Sequence, residues 1–179
     1  MPVGPHLARM VNEEIERCRA LMTPMGVFEK CPVSLEQNGV VSIRGVFLIH
    51  SADLYKWVEG CDEMAVMAVS LGSGITAHVE ELVGAGEVTR GMVADAIGSE
   101  TVEELANLLN RIIINTIRRA ATKRYSPGYG DWDLSEQTAL LGLIDARRIG
   151  IEVNPSSQMV PEKSISAVIG IRDRIGKRT

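Results

Sequence analysis

Residues 64–71, Met-Ala-Val-Met-Ala-Val-Ser-Leu, are apolar except for one serine and show no alternation. A strand wetted on one face alternates apolar and polar side chains, so an unbroken run of this length reads as a strand buried within the molecule. Any fold for this chain must therefore place other elements over that strand. Gly72-Ser73-Gly74 ends the run, and a helix over 75–83 follows, with Ser73 as its cap.

The remaining periodicities supply the covering elements. Leu7, Met10, Val11, Ile15, Cys18 and Leu21 recur at three- and four-residue spacing and predict a helix over 7–22. The β-branched stretch 40–50 predicts one strand, and 53–58 a short helix. A helical stretch over 88–97 is expected to break at Gly98-Ser99. Thr101-Val102-Glu103-Glu104 then reads as a capping box opening a long helix to about residue 122. Asp133-Leu134-Ser135-Glu136 reads as a second capping box, opening a helix through 148 that Gly150 ends. Residues 151–153 and 164–171 are the last strand candidates, joined by a segment carrying Pro155 and Pro161. Strands and helices mix without strict alternation. The expected fold is α+β, helices on a mixed or antiparallel sheet, with residues 1–179 as one domain.

Composition narrows the function. The formal net charge of −4 argues against a nucleic-acid binder. No apolar run reaches membrane-spanning length, and no basic stretch followed by an apolar one opens the chain, so a cytoplasmic protein away from the membrane is expected. Cys18, Cys31 and Cys61 are scattered, and His6, His50 and His78 are unpaired, which is not a metal-ligand pattern. Charge is segregated: 51–110 is rich in acids, whereas 111–124 carries Arg111, Arg118, Arg119, Lys123 and Arg124 with no acid. Helix-end preferences explain part of this; a charged docking face for a protein partner is the other reading.

The densest chemistry lies in Arg124-Tyr125-Ser126-Pro127-Gly128-Tyr129-Gly130-Asp131-Trp132. Pro127-Gly128 fits the central pair of a type II turn. Around it, Arg124 suits a carboxylate, while Tyr125, Tyr129 or Trp132 suits a cation or a flat heterocycle. Asp131 and Asp133 suit an ammonium group. S-Adenosylmethionine has this whole inventory, although amino acids and nucleotides share parts of it. The alternative is a surface turn whose rings pack on a neighbouring element. Elsewhere, Gly72-Ser73-Gly74 reads as an anion cradle or a plain turn. His78 with Glu80 and Glu81 reads as an acid–base group or ordinary helix-surface spacing.

Ordered motifs from about 64 to 171 resemble the activation (reactivation) domain of cobalamin-dependent methionine synthase. They are Ser70-Leu71-Gly72 leading into a helix, the long helix ending at Lys123-Arg124, and Arg124-x-Ser126-Pro127-Gly128-Tyr129, similar to the family's Arg-Pro-Ala-Pro-Gly-Tyr. Ser156-x-x-Met159-x-Pro161 with Ser166-Ala167 completes the set. Residues 1–60 match poorly. Ser126 stands where the family has Ala, and Ser157-Gln158 where it has an aromatic residue. The resemblance implies an S-adenosylmethionine-binding α+β domain in which Arg124 holds the methionyl carboxylate, Ser126, Pro127 and Gly128 present backbone, and Tyr129 lines the site. It further implies service in the reductive remethylation of a corrinoid, with methionine synthase or another corrinoid-binding methyltransferase as partner and a flavodoxin-type protein as electron donor. The chain has no Asp-x-His-x-x-Gly sequence, so cobalamin would arrive on the partner and the domain would act in trans. A ligand-sensing or protein-interaction module of the same fold is the competing expectation.

Overall fold

The computed structural model describes residues 4–173. Its strands in chain order are β1 (Met25–Glu36), β2 (Val40–Ile43), β3 (Phe47–His50), β4 (Glu63–Ser70), β5 (Ala120–Ala121), β6 (Glu152–Val153), β7 (Met159–Val160) and β8 (Ser164–Arg172). Six form one sheet of order β3-β2-β1-β4-β8-β5, antiparallel at every pairing. β6 and β7 pair apart from it. The apolar run becomes β4, near the middle of the sheet and buried from Met64 to Ser70.

Because side chains alternate along a strand, β4 feeds two cores. Ala65, Met67 and Val69 face a layer built from α1 (Pro5–Leu21), α3 (Gly74–Gly84) and α4 (Val88–Ile117), where Cys18, Ile75, Leu82, Ala106 and Ile113 close over them. Met64, Val66 and Ala68 face the other layer. There α2 (Ala52–Trp57) contributes Leu54, α5 (Gln137–Gly142) contributes Leu140 and Leu141, and Trp132, Ile144 and Ile151 fill the rest. The expected α+β class holds, and a helical layer covers each face of the buried strand.

Four expectations need correction. The single strand over 40–50 is a hairpin, β2–β3, because Arg44 and Gly45 both adopt positive φ and reverse the chain. β1 lies in a stretch with no predicted element; it pairs with β4 over Met25–Pro32 and with β2 over Val33–Glu36. Pro32, which has no N–H to give, sits where one pairing hands over to the other. The expected break at Gly98-Ser99 is absent, and α4 is one helix of 30 residues. Gly98 is there for close packing: a Cβ would lie 3.0 Å from Ile75 and 3.2 Å from Lys163. Thr101 is no cap, since its hydroxyl donates to the Ile97 carbonyl inside the helix, and α4 ends at Ile117, short of the expected 122.

The second capping box is only partly realised. Asp133 does accept from the Ser135 N–H, but a short 3₁₀ turn and the six-residue α5 replace the expected helix through 148. A separate 3₁₀ turn follows, and Gly150 ends it with φ of 73°.

Candidate functional site

The proline–glycine turn forms as the sequence predicts. The Tyr129 N–H donates to the Ser126 carbonyl at 3.2 Å, and Gly128 takes φ of 87°. β8 anchors the turn: Tyr125 pairs with Val168, and the Ser126 hydroxyl donates to the Ser166 carbonyl at 2.7 Å. Only Arg172 and Ile171 of β8 pair with β5, so the first half of β8 keeps an open edge toward the turn. A cleft of about 690 Å³ lies there, between that edge, the turn and the second half of α4. Small-molecule sites span roughly 300–1,000 Å³.

Arg124, Ser126, Pro127 and Tyr129 line the cleft; Gly128 supplies the bend behind them and is not part of the lining. One wall belongs to α4. Glu103, Asn107 and Asn110 fall at helical spacing on one face and all border the cleft. Arg124 Nη2 donates to Asn107 Oδ1 at 2.8 Å and to Glu103 at 3.3 Å. Both bonds use Nη2, so Nε and Nη1 take no acceptor among the described residues. Asn110 Oδ1 is buried with no hydrogen-bond partner. A buried, unanswered carbonyl beside a cleft favours a donor arriving from outside the chain.

The floor is a relay of satisfied polar groups. The Ser166 hydroxyl donates to Gln137 Oε1, and Gln137 Nε2 donates to the Ser157 carbonyl. This ties β8, α5 and the 154–158 segment together beneath the cleft. Met159, Ser164 and Ile165 complete it.

The opposite wall is aromatic and contains a residue that the sequence reading did not single out. Trp57, at the end of α2, borders the cleft, packs 5.2 Å from Tyr125 and donates its indole N–H to the Lys123 carbonyl at 2.9 Å. Tyr125 is fixed by its hydroxyl bond to the Tyr129 carbonyl, and burial pushes its phenol pKa up, with Asp53 and Asp131 adding to the effect.

Several expected ligand groups turn elsewhere. Trp132 is a core residue, 1% exposed, stacked on Tyr125 and donating its N–H to Glu136. Asp131 accepts from the Ser51 hydroxyl and from the Ala52 and Asp53 N–H groups, so it holds the start of α2 and not a ligand ammonium. The Ser51 hydroxyl first, and then those backbone donors, hold the Asp131 carboxyl below its ordinary range against desolvation. Asp133 is spent on Ser135.

The glycine turn after β4 is no anion cradle. Gly74 sits so tightly on α1 that a Cβ would come 2.4 Å from the Leu21 carbonyl oxygen, and Ser73 makes no side-chain cap. His78 faces away from Glu80 and Glu81: buried, it donates through Nε2 to Glu14 at 2.8 Å. The segregated charge is partly consumed within the chain, since Arg119 pairs with Asp62, Glu63 and Asp173 and Arg124 pairs with Glu103. No helix among the described residues is long and apolar enough to cross a membrane. Nor do the described residues gather three or more His, Cys, Asp or Glu as a metal site.

No protein-family model matches the chain, and no curated protein does. Among solved structures it is similar to the crystal structure of the MetH reactivation domain bound to AdoHcy, at a TM-score of 0.73 and 14% identity, over 96% of this chain and 67% of that one. At that identity the likeness shows the fold: helices packed on an antiparallel six-stranded sheet.

Proposed function

We propose that the cleft binds S-adenosylmethionine and its demethylated product, S-adenosylhomocysteine, and that the chain supports reductive remethylation of a corrinoid carried by a partner methyltransferase such as methionine synthase. One observation carries this reading. Arg124 stands at the wall of a cleft of suitable size with Nε and Nη1 unused, while the carbonyl of Asn110 lies buried and unpaired on the same wall. A guanidinium with N–H donors unused and a lone acceptor suit the carboxylate and ammonium of one amino-acid group. A solved domain of the same fold binds AdoHcy, which supports the assignment.

The donor's sulfonium supplies an activated methyl group. The protein's part is to hold and orient it: Arg124 fixes the carboxylate, the α4 amides and Glu103 receive the ammonium, and the turn braced on β8 sets the depth at which the ligand sits. None of these tasks needs a nucleophile or a general base from this chain. Catalysis then belongs to the complex, in a cytoplasmic setting with a flavodoxin-type reductant, and the corrinoid comes from the partner.

A ligand-sensing or interaction module is the second reading. What favours it is the guanidinium of Arg124, already bonded to Asn107 and Glu103. Calorimetric titration with S-adenosylmethionine and S-adenosylhomocysteine tests the first reading, and added corrinoid protein then tests remethylation. Binding of both ligands is expected. No heat and no saturation at millimolar ligand would leave the second reading.

A further inference from the structure

Two anchors make α2 and the turn one unit. Asp131, in the loop after the turn, holds the first residues of α2, and Trp57, at the other end of α2, donates to the carbonyl of Lys123, just before the turn. The next residue, Arg124, reaches α4 instead. Consecutive residues thus tie the two walls of one cleft, an aromatic wall from α2 and a polar wall from α4.

The aromatic wall is unusual in this chain. Aromatic residues make up 4% of the sequence, and the other tryptophan is buried in the core. Trp57 is 38% exposed, yet its polar N–H is already satisfied inside the protein. Its ring is therefore held in place, packed 5.2 Å from Tyr125, and the part left accessible borders the cleft with no donor to give. Tyr129, 64% exposed, borders the same cleft. A fixed indole whose N–H is used suits stacking by a flat ring and has nothing to offer an ammonium or a carboxylate by hydrogen bonding.

We propose that Trp57 is a specificity-determining contact: the ligand's purine stacks on its exposed face while its amino-acid end lies against Arg124 and α4. This rests on the reading of the cleft as an adenosyl-ligand site.

The test is calorimetric titration of the wild type, Trp57→Ala and Trp57→Phe with S-adenosylhomocysteine, with tryptophan emission followed in parallel. Trp57→Ala is expected to weaken binding about tenfold or more, on the scale of base–aromatic stacking. Trp57→Phe, which keeps a ring and loses only the bond to Lys123, is expected to bind within about threefold of wild type. The ligand should quench the wild type's emission and leave that of Trp57→Phe unchanged, since Trp132 is buried. Wild-type affinity in Trp57→Ala would overturn the assignment of Trp57 and leave the cleft reading standing. So would a Phe variant as weak as the Ala variant, since that traces the effect to the hydrogen bond. Failure of the wild type to bind at all would overturn both.

Discussion

Arg124→Ala is the sharpest probe of the cleft. In the free protein the guanidinium spends Nη2 on Asn107 and Glu103, and its side chain is 21% exposed. A ligand carboxylate meeting Nε or Nη1 adds a hydrogen bond to a charged donor, worth about 1.5–3 kcal/mol net. Losing one such contribution weakens binding about 10- to 150-fold. The cost to the fold is of similar size: the bond to Asn107 has the same charged donor, and losing about 1.5–3 kcal/mol lowers the melting temperature of a chain this size by about 3–12 °C. Arg124→Lys keeps the charge but not the fixed donor directions, and should fall between wild type and Ala. The assay is calorimetry with two ligands, S-adenosylhomocysteine and adenosine. Adenosine has no carboxylate, so its affinity should be unchanged by Arg124→Ala. The reasoning is refuted if both ligands lose equally, or if S-adenosylhomocysteine binds the folded variant within threefold of wild type.

Asp131→Ala removes the acceptor for Ser51, Ala52 and Asp53 at the start of α2. It should lower the melting temperature and weaken S-adenosylhomocysteine binding through Trp57; unaltered binding on calorimetry would uncouple α2 from the cleft. Gly74→Ala places a Cβ 2.4 Å from the backbone oxygen of Leu21, so the end of α1 must move. Overpacking of this kind costs about 2 kcal/mol, a fall of about 4–8 °C on thermal unfolding, and an unchanged melt would show that α1 yields freely. Glu14 is buried between His78 and Arg90. Burial alone would raise its carboxyl, but the bonds from His78 and Arg90 outweigh burial and hold it below the usual range. Its folded pKa is depressed, so its contribution is complete above the unfolded value of about 4.3 and disappears as pH falls through the folded one. Urea midpoints measured from pH 6 to 3 should fall less steeply in Glu14→Gln than in wild type; parallel curves would remove Glu14 from the acid sensitivity.

The parts of the fold legible in the sequence are those decided by neighbours along the chain. β4 was readable because it is apolar throughout, and α1 because its apolar residues keep helical spacing. β1 was not. Glu29, Lys30 and Pro32 interrupt its apolar set, and what makes it a strand is pairing with β4 and β2 on its two sides. Gly98 shows the same limit. A glycine that breaks a helix and one that lets another chain segment pass close by are identical locally. Lys163, far along the sequence, decides between them by laying its side chain on that spot.

The site divides the same way. The turn at Pro127-Gly128 was legible because its dihedrals are a property of two adjacent residues. The polar wall was half legible: Glu103, Asn107 and Asn110 sit at helical spacing, but Glu103 had already been assigned to a capping box that α4, running straight through, does not use. Which tryptophan faces the cleft was not legible at all. Both tryptophans have the same apolar area to bury and the same N–H to satisfy. Trp132 finds Glu136 four residues along the chain and goes into the core, whereas Trp57 finds its acceptor at Lys123, far along the sequence and on the cleft, and is held half outside. The position of the acceptor thus decides which indole becomes core and which becomes a wall of the cleft, and composition or periodicity carries no trace of that choice.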